Sequence, residues 1–205
     1  MTPRTQRPNP RRRLDLKDAW QAERERVSSS PQTHQPWCRG HGWMLRDGLA
    51  DILAPITYGD EFGEASFYRF ASLDADVAAR LLDTLDEEYL ATARQNDGPT
   101  IGAVLLAVVR NPDRLRAHGY VIGPGRCDER ITVEGILART DREYRLCNVY
   151  GEKLDDCQCE ELYAWLCDEF DLDAQRFPHE LDKWLGYGWG VDGYAGETWY
   201  RAWWD

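Results

Sequence analysis

Long apolar runs are absent from this 205-residue chain. No stretch approaches the roughly 18 apolar residues of a membrane-spanning helix. The opening MTPRTQRPNPRRR lacks the apolar centre of a secretory signal. A cytoplasmic protein with no membrane partner is expected. Lysine is scarce too, with 3 lysines against 22 arginines, an imbalance read as genome composition and given no mechanistic weight. Phosphate-binding loops are also missing. No Gly-Lys-Ser/Thr follows GPGRC at 123–127, and GYGWG at 186–190 follows a predicted helix instead of a strand.

Positive charge is confined to one end. Residues 1–26 carry 8 basic and 4 acidic side chains, leaving 17 basic against 32 acidic in the remainder. A body that acidic repels phosphate backbones, so direct nucleic-acid binding is expected only through the 1–26 arm. Six cysteines in a chain long enough to build a core, with no leader, read as reduced thiols.

What is present suits one α+β domain: a small antiparallel β-meander packed by helices behind a disordered basic N-terminal arm. The composition is 42% hydrophobic and 12% aromatic, rich enough in core formers for a packed domain. Residues 1–35 read as the flexible arm and linker, with a short helix at 15–27; residues 36–205 read as the domain, ending in an aromatic-rich tail. The meander, residues 118–150, is the stretch around which the rest is organised. Strand 116–122 leads through the loop 123–129 into a strand where Ile131, Val133, Gly135 and Leu137 alternate with Thr132, Glu134, Ile136 and Ala138. A turn at 140–143 then introduces a third strand with Leu146, Cys147 and Val149.

Helices are expected around this sheet. Ser72 or Asp74 caps a helix through 95, in which Val77, Leu81, Leu82, Leu85 and Tyr89 recur at helical spacing. Thr100 caps a buried helix, IGAVLLAVVR. Asp155 or Asp156 caps another running to 170, and a shorter helix is predicted at 178–185. Residues 66–70 form a short strand, and 197–204 end the chain as a helical turn or strand.

Four constellations bear on function. The order of the helices 74–95 and 100–110 and the hairpin 116–137 is that of a winged helix-turn-helix, which makes a nucleic-acid accessory protein one alternative. Its second helix, however, offers the groove only Arg110. Cys38 and His41, joined by Cys157 and Cys159, supply thiolate and imidazole donors of the kind zinc takes in tetrahedral geometry. The alternative they raise is a zinc-containing domain or enzyme. At the hairpin tip, Arg126, Asp128, Glu129 and Arg130 gather beside Cys127, with His118 on the neighbouring strand, as a candidate ligand or partner site. Trp189, Trp199 and Trp203 stand out in the tail as candidate interaction aromatics.

No nucleophile and orienting base stand at recognisable spacing, and no cofactor is expected. The leading expectation is a non-enzymatic module that binds another protein through its acidic body and aromatic tail.

Overall fold

A computed structural model describes residues 15–28, 42–58, 67–123, 125–126, 128–147, 156–184 and 197–205. In chain order the elements are α1 (Asp15–Ser28), α2 (Trp43–Arg46), α3 (Leu49–Leu53), β1 (Thr57–Tyr58), β2 (Phe67–Leu73), α4 (Ala75–Thr84), α5 (Glu87–Thr92) and α6 (Ile101–Arg110). There follow β3 (Leu115–Ile122), β4 (Arg130–Arg139), α7 (Cys159–Phe170), β5 (Glu180–Trp184) and β6 (Trp199–Trp203). The fold is α+β, with a sheet of six strands ordered β1-β2-β3-β4-β6-β5. Among the described residues no helix is long and apolar enough to cross a membrane.

The chain forms two compact units, one of residues 1–71 and 119–131, the other of 72–118 and 132–205. In the first, β1 pairs antiparallel with β2. The indole of Trp20 on α1 is fully buried and meets Tyr68 edge-on, with ring centroids 6.5 Å apart. The few apolar positions of α1 are therefore enough to seat it, because one tryptophan removes a large apolar area from water.

In the second unit, α4 and α5 cover α6. Two of the three helix caps expected from sequence form. Asp74 accepts the Val77 N–H at 3.0 Å, and Thr100 accepts the Ala103 N–H at 3.2 Å, each satisfying a donor that has no partner inside its helix. The helix expected over 74–95 is in fact two. Leu85 turns extended, at φ −75° and ψ 141°, and Asp86 caps a new start by accepting the Tyr89 N–H at 2.7 Å. Leu85 and Tyr89 stay buried on either side of the break.

Three further expectations are corrected in this unit. Residues 144–147 form no strand; the edge of β4 is taken by β6, with Gly135 opposite Trp203 and Arg139 opposite Trp199. The 178–185 helix is the strand β5, antiparallel to β6, since Glu-Leu-Asp-Lys-Trp alternates as readily as it spirals and an open strand edge lies beside it. The start of α7 has no carboxylate cap either, because its N-cap is Gln158 and no side chain bonds there. Asp156 instead pairs with Arg145, while Asp155 lies outside the described residues.

Candidate metal centre

The sulfur atoms of Cys147, Cys157 and Cys159 lie within 4.8 Å of one another, and all three residues are half-buried. The approach is built locally. The coil after β4 runs back alongside the start of α7, where the Arg145 N–H donates to Gln158 Oε1 at 3.0 Å and the Gln158 N–H donates to the Arg145 carbonyl at 2.7 Å. That pairing sets Cys147 opposite Cys159, the first residue of α7, and the Cys147 N–H donates to Cys159 Sγ at 3.3 Å. Cys157 joins them from the residue before the helix cap.

Burial pushes the Cys159 thiol up to about 11, so it is protonated at neutral pH in the metal-free protein. An amide donor aimed at sulfur and a helix start beneath it both favour thiolate once a cation is bound. Tetrahedral zinc has bonds of about 2.3 Å to sulfur, which places bound sulfurs about 3.8 Å apart. The observed spacing needs only a small contraction to reach that.

Two of these three cysteines, Cys157 and Cys159, stand among the sequence candidates. Cys38 and His41 lie outside the described residues. Cys147 escaped as a ligand because its apolar neighbours Leu146 and Val149 read as strand. The available signal was the pattern Cys-x9-Cys-x-Cys with a charged connection, which suits a loop folding back on a helix start.

The hairpin tip has different duties. Asp128 is clasped by Arg126, with Nε–Oδ1 and Nη2–Oδ2 both at 2.8 Å, and by Arg130 at 2.7 Å. Burial works to raise its carboxyl, but the two guanidiniums win and hold it below the usual range. Arg130 also donates to the Tyr120 hydroxyl at 3.3 Å, and its guanidinium lies 5.7 Å from the Tyr120 ring centre. The Asp128 charge is thus taken up within the tip by two guanidiniums.

Glu129 points inward and is 5% exposed. Its carboxylate accepts the N–H groups of Gly42 and Met44, and its carbonyl accepts the Trp43 indole N–H at 3.0 Å. Gly42 stands at φ +77°, a conformation glycine adopts without cost and which turns its amide toward the carboxylate. Burial pushes Glu129 up to about 7, against the downward pull of the Met44, Gly42 and Trp43 hydrogen bonds and the Arg46 charge.

His118 is 4% exposed, so it is a core residue and not part of an open tip. Its ring fills the space a side chain would need at Gly135, where a Cβ would fall 2.5 Å from His118 Nε2. Of the tail aromatics, Trp199 is 2% exposed and packs in the core, Trp203 is half-buried, and Trp189 lies outside the described residues. Tyr200 and Trp204 are buried with Trp199. Cys127 also lies outside the described residues.

No protein-family model, curated protein or solved structure matches this chain. Its function is therefore argued from its own residues.

Proposed function

We propose that the protein is a non-enzymatic metal-binding module of the cytoplasm, in which Cys147, Cys157 and Cys159 hold a thiophilic ion of the zinc class. The observation that carries this reading is the mutual approach of three sulfurs within 4.8 Å. Buried or incidental thiols have no need to converge, and three thiolates are the donor set that soft and borderline cations select. Cys147, Cys157 and Cys159 are all free thiols, which accords with a reducing compartment, where neighbouring cysteines persist unpaired.

The test is metal analysis of protein purified under reducing conditions, followed by Co2+ titration. One equivalent of zinc, and thiolate-to-cobalt absorption that is lost in Cys157→Ser, are expected. Stoichiometric metal absent after zinc loading, with all three thiols still open to a thiol reagent, would sink the reading.

A second reading, attachment to another protein, is favoured by Leu106. It is 43% exposed on a helix most of whose residues are buried. It lines a cleft of about 410 Å³ with apolar Leu90, Ala103 and Phe170 and with Glu87, Asp171 and Asp173, three acids against the one base Arg110, which pairs with Asp171. An apolar floor with acidic neighbours suits a partner whose apolar anchor is flanked by basic residues. A partner retained by the wild type, released by Leu106→Glu and weakened by salt supports it. Retention indifferent to Leu106→Glu counts against this cleft.

A further inference from the structure

We infer that metal occupancy at Cys147, Cys157 and Cys159 governs how firmly the β5–β6 pair is seated. The inference rests on the metal reading above and concerns regulation through that same site.

The coil between β4 and the cysteines has two attachments, only a few residues apart. At one end, Glu143 receives Lys183 Nζ of β5, with both carboxylate oxygens at 2.8 Å, and the Thr198 hydroxyl at 3.2 Å. The next residue, Tyr144, donates its buried backbone N–H to the Tyr200 hydroxyl of β6 at 2.7 Å. Their rings meet edge-on, with centroids 5.5 Å apart. A buried donor with one side-chain partner is costly to strand, so the position of Tyr144 and the position of Tyr200 are linked.

At the other end the coil lies on the start of α7 through the two Arg145–Gln158 hydrogen bonds and the Cys147–Cys159 contact. The ion pairs nearby, Arg145 with Asp156 and Arg142 with Glu161, are solvent-exposed and contribute little. The contacts there include one main-chain hydrogen bond, one from the Arg145 N–H to the Gln158 side chain, the Cys147 N–H···Sγ contact and the Tyr144–Trp165 ring contact, with centroids 6.4 Å apart. A metal bound by Cys147 together with Cys157 and Cys159 pins the coil to the helix start, because ligation is possible only when the two are together. Tyr144, three positions from Cys147, is then pinned where Tyr200 needs it. A ligand that binds only the closed arrangement stabilises everything the arrangement requires.

Hydrogen exchange of the full chain under reducing conditions tests this, comparing chelator-treated protein with protein at free Zn2+ of 100 times its Kd. Zinc loading is followed in parallel by metal content. Mass action sets a ceiling of roughly 100-fold slowing for amides whose opening requires the metal-free state. Slowing of about tenfold or more is expected at the amides of Glu180–Trp184 and Trp199–Trp203, and a smaller effect with one zinc bound overturns the inference while leaving the metal reading intact. Failure to bind zinc overturns both. Tyr200→Phe, which keeps the ring and removes the acceptor, is expected to bind zinc as the wild type does but to lose the slowing at Trp199–Trp203. Retained slowing in that variant overturns the route through Tyr144.

Discussion

The Glu129 carboxylate accepts the Met44 backbone N–H at 2.8 Å, across 85 positions of sequence. An acidic residue of a hairpin loop thereby becomes the cap of a four-residue helix. Helices that short do not persist on their own, because nucleation costs more than so few hydrogen bonds return. The start of α2 depends on a carboxylate delivered from the far side of the sequence.

That carboxylate is costly to bury, and its burden depends on pH. Its folded value of about 7 lies above the ordinary 4.5. The stability it contributes is therefore fully present below pH 4.5 and is lost as pH rises through 7. Between those limits the loss amounts to about 3 kcal/mol. Glu129→Gln has no charge to bury and is expected to lack this slope, while showing a constant offset from weaker capping. Urea unfolding of both proteins from pH 5 to pH 8 checks it; parallel stability curves would count against the assignment.

Gly135 is open only to glycine. An added Cβ meets His118 Nε2 at 2.5 Å and the Ala202 carbonyl at 2.7 Å. Backbone cannot give way as a flexible side chain can, so Gly135→Ala is expected to cost roughly 1–3 kcal/mol. Adding His118→Ala recovers only the share due to the ring, a difference that thermal unfolding of the single and double variants resolves.

Thr100 serves α6 twice. Its hydroxyl accepts the Ala103 N–H, and its own N–H donates to Asp173 at 2.7 Å. Thr100→Ala removes the first and keeps the second, with an expected loss of about 1 kcal/mol. Thr100→Ser retains the acceptor and most of the stability. Equal losses in chemical denaturation would show that the methyl, and not the cap, matters.

Trp20 is fully buried in the first unit. Trp20→Ala is expected to destabilise by roughly 3–5 kcal/mol, the cost of emptying a large aromatic site. A change below about 1 kcal/mol in equilibrium unfolding would be that of a surface residue and would contradict its seat.

Features governed by near neighbours were legible in the sequence. Asp74 and Thr100 cap helices because each lies three residues before the amide it accepts. Alternation identified β4, and the apolar character of IGAVLLAVVR identified a buried helix. The break at Leu85 and Asp86 carried a legible sign, the cap residue Asp86, but a continuous apolar stripe across 77–89 concealed it. For 180–184 no local sign separates strand from helix, because pairing with β6 supplies the hydrogen bonds that decide it.

By itself, the sequence determined the α+β class, the caps of α4 and α6, the acidic body and the lack of a membrane-length apolar run. These follow from composition and from interactions a few residues long. Only the tertiary structure decided that β6 takes the edge of β4, that Cys147 joins Cys157 and Cys159, and that Glu129 caps a helix 85 residues away. Each joins groups whose attraction is felt only after folding has removed the water between them. The hairpin tip first stood out for charges with no evident task; in the fold Asp128 ties together the two arginines of its own loop, and Glu129 holds the start of α2.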